Sequence, residues 1–375
     1  MKLPLLSNVG NFFPKLQPRA GKKDDRPFRV AQIEVTSRCS TGCVFCPHDA
    51  LSLSWVDGDL KVETYRDHIA PHLDLFDLVY LQGWGEPMLH PDLWEMLDMA
   101  RQKGCRTGFT TNGTWLQEEQ NHRLLDMGVN LISVSFAGTA ATVHESLRTH
   151  SKFSDLCRNF ENLANLKKQE GCTNPWLELH FLMMCANMSE FPSLVELAGS
   201  LGADEIVATN LAYSPSLELD HKHVFGDPPL ADDIEIITRA KDTAERLNIP
   251  LRVYPLQTEP NTLVCDADPV NTIYINHRGD VAPCVYLGLT VQGQVPRFYQ
   301  GESHPFDTLS FGNVCTGLKQ ALQSEERRNF VEPLKRRNTS SGPLAVFTYM
   351  AGQNDGDGFP LPPAPCQFCY KMLGI

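Results

Sequence analysis

The 375-residue chain has no run of eighteen apolar residues, so no segment of it reads as a bilayer-spanning helix. Basic residues are in short supply. Thirty-three Lys and Arg stand against 45 Asp and Glu, a formal charge of −12, which argues against broad affinity for phosphate backbones or anionic membrane surfaces. Neither nucleic acid nor a membrane is expected as a partner. A secretion signal is missing as well: MKLPLLSNVGNFFPKLQPRAGKK has a short apolar patch broken by Pro4, Asn8 and Gly10, without an apolar core and small-residue cleavage site behind it. Residues 1–27 are expected to form an N-terminal arm, and the protein is expected to be cytoplasmic. No glycine-rich turn follows the first apolar run, which counts against a methyltransferase of the ordinary polar kind, and no internal repeat is evident.

Cysteine, by contrast, is plentiful, with twelve in the chain. In a reducing compartment such a count points to metal or redox chemistry before disulfides. Seven fall in groups: Cys39, Cys43 and Cys46 near the front, Cys265 and Cys284 later, and Cys366 with Cys369 at the end. The other five, Cys105, Cys157, Cys172, Cys185 and Cys315, are scattered and are expected to be small buried packing residues.

From about residue 28 short apolar runs alternate with amphipathic ones. Strands are expected over 30–35, 78–82, 107–111, 131–136, 177–184 and 205–211, with helical periodicity between them. Leu93, Leu97 and Ala100 share one helix face, as do Leu156, Phe160 and Leu163, and Gly104, Gly128, Gly171 and Gly202 fall where the helices should stop. Strict strand–helix alternation makes a parallel sheet with helices outside it. Six units are too few for a closed eight-stranded barrel, so the expected fold is α/β: an open sheet or a partial (β/α)6 TIM-like barrel over residues 28–255. Residues 256–375 are expected to form a small α+β domain with a β-hairpin at NTIYINHRGDVAPCVYL. In either architecture chemistry collects at the C-terminal strand ends, and the first three cysteines follow the first strand directly.

Three thiolates at C-x3-C-x2-C crowd one short loop. Zinc could be held by Cys39, Cys43, Cys46 and His48, but structural zinc sites pair C-x2-C with a distant second pair, and three crowded ligands suit an iron–sulfur cubane better. A cubane with three protein ligands keeps one iron open to something that is not protein. The later Cys265, Cys284, Cys366 and Cys369 total four, the count for a fully ligated cubane or for a zinc ribbon.

With Phe45 before Cys46, the first motif resembles the signature of the radical S-adenosylmethionine (radical SAM) superfamily. That resemblance implies a [4Fe–4S] cluster on Cys39, Cys43 and Cys46, whose open iron chelates S-adenosylmethionine and whose electron cleaves it to a 5′-deoxyadenosyl radical. QGWGEP resembles the family's GGEP segment with Trp84 in place of a glycine. It implies that Glu86 receives the ligand's ammonium group and that Gly85 permits close backbone approach. Asn112 in TTNG matches a position facing the ligand, Ser135 one near its ribose and carboxylate, and Arg148 one pairing with the carboxylate. On the residues alone, Glu86 is equally a helix-capping carboxylate, Asn112 a turn residue and Arg148 a helix-dipole partner.

GDVAPC, SFGNVCTGL and CQFCYK resemble the SPASM extension or its shorter relative, the twitch domain. The resemblance implies one auxiliary [4Fe–4S] cluster on Cys265, Cys284, Cys366 and Cys369, with Cys315 left to packing. The activity implied is hydrogen-atom abstraction from a small molecule, ending in net oxidation or dehydrogenation assisted by the auxiliary cluster. Too few residues precede the first strand for a leader-binding domain, which tilts the expectation away from the alternative, a peptide- or protein-modifying maturase that cross-links, epimerises or oxidises a residue. A non-enzymatic zinc or iron–sulfur binding module is the alternative of another class. A low-potential electron donor such as flavodoxin or ferredoxin is implied as partner. The catalytic base is not identified; His221 and His223 are candidates on the long irregular stretch from Tyr213 to Asp232.

Overall fold

The structure, a computed structural model, describes residues 26–339 and 360–375. The expected arm at 1–27 therefore lies outside the described residues, apart from Arg26 and Pro27, as does most of the Gly- and Pro-rich tract after Arg336. In chain order the strands that build or flank the site are β1 (Phe28–Ile33), β2 (Gly42–Cys43), β3 (Phe76–Tyr80), β4 (Arg106–Thr111), β5 (Leu131–Phe136), β6 (Arg148–Thr149), β7 (Trp176–Met183), β8 (Glu205–Asn210), β9 (Leu251–Val253), β10 (Thr272–Ile275) and β11 (Val281–Ala282). Nine of them make one sheet in the order β11-β10-β1-β3-β4-β5-β7-β8-β9, parallel throughout except for β10 with β11. Helices Leu93–Gln102, Glu118–Asp126, Phe153–Gln169, Phe191–Leu201 and Ala231–Leu247 connect these strands. The open, partial barrel expected from the sequence is present.

Strand alternation separates two interiors. Ala31, Ile33, Val79, Leu81, Phe109, Ile132, Val134, Leu177, Leu179 and Phe181 join the large core beneath the helices. Residues one step out of phase, Val30, Leu78, Tyr80 and Leu131 with Trp176, form a separate small cluster. Further along that second face polar residues take over: the Tyr80 and Thr110 hydroxyls lie 2.8 Å apart, and Ser133 donates to Glu178 at 2.7 Å. The floor is thus apolar and closed while the C-terminal strand ends are polar, as a period of two on a sheet wrapped around one side dictates.

The helices stop where expected. Gly202 closes Phe191–Leu201 at φ +82°, a left-handed cap that only glycine takes without cost. Strand bounds shift more: the second barrel strand runs Phe76–Tyr80 rather than 78–82, so Leu81 and Gln82 belong to the functional edge. The hairpin expected at 272–284 forms, and its first strand pairs in parallel with β1, Val30 beside Thr272 and Ile33 beside Ile275. One sheet therefore runs across the boundary expected at 255/256.

A buried carboxylate locks that junction. Glu34, just past β1, accepts from Trp84 N at 2.9 Å and from His277 Nδ1 at 3.0 Å, and both side chains are almost fully buried. Gly83 lies against it so closely that a Cβ there would fall 2.3 Å from Glu34 Cγ. An unpaired buried carboxylate would be costly, and these partners satisfy it.

Candidate active site

A cavity of about 240 Å³ opens at the C-terminal strand ends. Gln32 of β1, Thr110 of β4, Ser135 of β5, His180 of β7 and Thr209 of β8 face it from the barrel. Cys39, Cys43, Phe45 and Cys46 line one end; Asp266, Tyr286 and Lys371, from the C-terminal third of the chain, line it as well.

The cysteine loop is held by its own short ladder. Cys43 in β2 pairs with Arg148 in β6, and Cys46 N bonds Cys43 O at 2.9 Å to turn the chain into a helical turn at Pro47. Thr41 Oγ1 lies 3.2 Å from Cys39 Sγ and 3.7 Å from Cys43 Sγ. Burial first, and then the neighbouring Cys43, push the Cys46 thiol far above its ordinary range, and burial does the same less strongly to Cys39. A cationic centre would reverse that penalty and deprotonate them. His48 also lines the cavity, with its Nε2 3.4 Å from Asp57 and its ring edge-on to Trp55.

Glu86 is 2% exposed. Its Oε1 accepts from Thr111 Oγ1 at 2.8 Å and from Met88 N at 3.2 Å, and its Oε2 from Asn112 N at 2.7 Å. It caps the short helix Pro87–Leu89 and also faces the cavity. Burial raises its carboxyl above the usual range despite those donors. Asn112 keeps its turn, Thr114 N bonding its Oδ1 at 2.9 Å, while its amide points at Ser40 and Cys39. The room at Gly85 is consumed by the chain itself, because a Cβ would lie 2.2 Å from Thr36 O. Its close approach is to the 36–38 turn, from which Arg38 O accepts the Glu86 N–H at 2.8 Å.

Arg148 is 7% exposed, lines the cavity, and among the described residues has no carboxylate within ion-pair distance; its Nε is without a hydrogen bond. An unpaired guanidinium so buried fits a carboxylate from a ligand. Across the cavity Asn210 donates to Pro255 O at 2.8 Å, which fixes its amide orientation and leaves its buried Oδ1 without a donor. His180 is held by Thr209 Oγ1 at 3.2 Å, and burial, then Arg148, lower its imidazole to about 3.

The second cysteine set gathers from three places. Burial, then Asp266 and after it the other three thiols, raise Cys265; burial, then Cys369 and Cys284, raise Cys366; and Cys284 is pushed up to about 12 by burial and then Cys369. The four thus lie near enough for their charges to act on one another. Among the described residues no three His, Cys, Asp or Glu side chains close to the spacing of a single metal ion. Arg297 steadies the last pair by donating to Pro365 O at 2.6 Å.

Several expectations need correction. Of the five scattered cysteines only Cys105 is buried; Cys157 and Cys172 are half-buried, and Cys185 and Cys315 are exposed. Cys315 sits on the first turn of helix Val314–Leu322, whose cap Asn313 receives its N–H, so a thiol expected to pack faces water instead. Neither His221 nor His223 reaches the cavity; His223 stacks on Phe225 with ring centroids 4.1 Å apart. Asp266, Tyr286 and Lys371 carry no motif of their own in the sequence; their only signal is proximity to Cys265, Cys284 and Cys369, and Trp84 is marked there only as a departure from the GGEP segment. Trp84 donates from its indole to Val285 O at 3.1 Å and meets Tyr286 edge-on.

Comparison with known proteins agrees with this geometry. The Radical SAM superfamily model matches residues 33–177, and the iron–sulfur cluster-binding domain SPASM matches residues 265–342. The chain is 25% identical over 300 residues to the tungsten-containing aldehyde ferredoxin oxidoreductase cofactor-modifying protein of Pyrococcus furiosus, covering 79% of this chain and 80% of that one. It is 30% identical over 132 residues to the mycofactocin maturase MftC of Mycobacterium ulcerans, 35% of each chain. Among solved structures, SuiB of Streptococcus suis bound to S-adenosylmethionine superposes with a TM-score of 0.56 at 14% identity, over 71% of this chain and 63% of that one, a likeness of fold. The cofactors of these domains are S-adenosylmethionine, the [4Fe–4S] cluster that binds it, and additional iron–sulfur clusters in the C-terminal part. The chain carries a radical SAM superfamily domain and, C-terminal to it, an iron–sulfur cluster-binding SPASM domain, the make-up of a radical SAM enzyme.

Proposed function

We propose that the protein oxidises a small molecule by abstracting a hydrogen atom from an unactivated carbon. Cys39, Cys43 and Cys46 would hold the first [4Fe–4S] cluster, and Cys265, Cys284, Cys366 and Cys369 one auxiliary cluster. When bound, the first cluster and S-adenosylmethionine supply reductive carbon–sulfur cleavage and hydrogen abstraction, and the auxiliary cluster supplies a one-electron acceptor. Arg148 pairs with the carboxylate of S-adenosylmethionine, Glu86 with its ammonium group, Ser135 and Asn112 with its polar edge, and Phe45 packs beside it. Gly85 keeps the Glu86 segment pressed against the cysteine loop. Barrel residues 28–255 and cluster residues 256–375 act as two units on one sheet. A low-potential donor of the flavodoxin or ferredoxin kind supplies the electron, in the cytoplasm. Among the described residues no helix is long and apolar enough to cross a membrane.

The observation that carries this reading is that a single cavity touches the three-cysteine loop and also Asp266, Tyr286 and Lys371, which lie one or two residues from Cys265, Cys284 and Cys369. Substrate held there lies between the two cysteine sets, where hydrogen and electron can leave on different sides. The second reading, a maturase, is favoured by the name of the mycobacterial relative. The decisive test is Cys46→Ala in anaerobically reconstituted protein: 5′-deoxyadenosine formation disappears while the auxiliary iron, about four atoms, stays. Undiminished turnover refutes the assignment.

A further inference from the structure

Lys371 Nζ and Asp266 Oδ2 form an ion pair of 2.9 Å whose side chains are 5% and 3% exposed. Both line the cavity, with Tyr286 beside them. Such a pair is poor evidence of stabilisation, because taking two charges out of water costs as much as their attraction returns, and an apolar pair of equal volume serves a core as well or better. Its placement at a cavity wall rather than in the core is what needs a reason. Asp266 meets Lys371 through Oδ2 and, after burial, also raises the nearby Tyr254 hydroxyl, while its Oδ1 is buried without a hydrogen bond. The ammonium of Lys371 has three N–H donors; Asp266 takes one, and the face of the Tyr254 ring lies 4.9 Å from the nitrogen. The wall therefore presents an acceptor and a donor side by side with no net charge.

We infer that Asp266 and Lys371 are the substrate-binding wall of the cavity, and that they recognise a group with an N–H or O–H donor next to a carbonyl or carboxylate acceptor. This rests on the radical SAM reading above and narrows its substrate. A free amino or hydroxy acid and an amide unit of a peptide share that chemistry. Hydrocarbon faces and phosphate esters do not: the first leave both charges unmatched, and the second bring two negative charges to a neutral pair. Because each residue sits within two positions of a cluster cysteine, a substrate so bound rests against the auxiliary cysteine set and across the cavity from Arg148.

The test uses the reconstituted full chain with S-adenosylmethionine and reductant. The probes are perdeuterated alanine, N-acetylalaninamide carrying a deuterated side chain, and perdeuterated 1-propanol, which has a donor but no neighbouring acceptor. The reading is the fraction of 5′-deoxyadenosine that carries deuterium, alongside equilibrium dialysis of the same probes in labelled form. Alanine or the amide is expected to transfer deuterium at least tenfold more than propanol; alanine alone marks a free acid, the amide alone a peptide unit. In D266N/K371M, which keeps the volumes and removes the charges, that fraction and the dialysis signal are expected to fall to the propanol level. Iron content and thermal melting report folding. Should that variant lose iron, D266E/K371R, which keeps the charges and shifts them, is expected to hold iron and still lose the preference. Equal transfer from all three probes, no transfer from any, or a preference unchanged in a folded variant overturns the inference. If the wild-type protein forms no 5′-deoxyadenosine, the radical SAM reading itself has failed.

Discussion

Trp84 reaches across 201 residues of sequence to Val285, its indole N–H donating to that carbonyl at 3.1 Å. The bond ties the segment carrying Glu86 to the loop carrying Cys284, in a position where the family's GGEP segment has a glycine. Removing the ring in Trp84→Gly should destabilise the fold by about 3 kcal/mol, the low end for losing a large aromatic side chain because this one is only half-buried. Trp84→Phe, which keeps an aromatic ring and loses the hydrogen bond, should cost less, about 1 kcal/mol for the bond itself. Anaerobic urea titration reads both, with an unchanged slope; a Trp84→Phe midpoint equal to that of the unchanged protein would remove the tie from the account.

Arg148 offers a buried, unpaired guanidinium to the cavity. Arg148→Met should weaken S-adenosylmethionine binding by roughly 10- to 100-fold, the range of a charge-assisted hydrogen bond, with Arg148→Lys in between. Equilibrium dialysis of labelled S-adenosylmethionine against cluster-loaded protein decides it. Equal dissociation constants would mean that the cation serves the fold alone.

Glu178 lies inside the barrel against Ser133 and Arg252, and burial lifts its carboxyl to about 7 from an ordinary 4.5. A raised folded-state value means that the native protein holds this proton more tightly than the unfolded chain. Its contribution is complete below about 4.5 and is lost as pH rises to about 7. Glu178→Gln, which keeps the shape and the Ser133 contact, should flatten the fall in stability across that window. The difference is of the order of 3 kcal/mol by pH 8. Parallel stability profiles for the two proteins would show that the carboxyl titrates normally.

Iron content separates the cysteines by role. The intact chain should take up roughly eight irons for two cubanes, and Cys369→Ser roughly four. Cys315→Ser and Cys185→Ser, at exposed thiols, should keep the full complement. Loss of iron from Cys315→Ser would bring that residue into the auxiliary set.

The expected helix stops hold because a helix needs a left-handed residue wherever it turns back, and Gly202 supplies one inside a purely local pattern. Strand order and the polar mouth follow from the period of two and from right-handed crossovers, which also act at short range. Cys39, Cys43 and Cys46 could be read as one loop because eight residues contain them all. Arg148 was legible only through resemblance, and its pairing with Cys43 across β2 and β6 is a tertiary fact.

What the sequence determined alone was whatever depends on neighbours a few positions apart: the alternation of elements, the helix ends, the cysteine tripod and the chemistry it selects. The tertiary structure decided which distant residues share a wall. Lys371 and Asp266 are separated by 105 positions, and Glu34 and His277 by 243, yet each pair lies about 3 Å apart. No periodicity encodes such meetings, because they arise only once β10 docks beside β1 and brings the C-terminal cysteines over the barrel mouth.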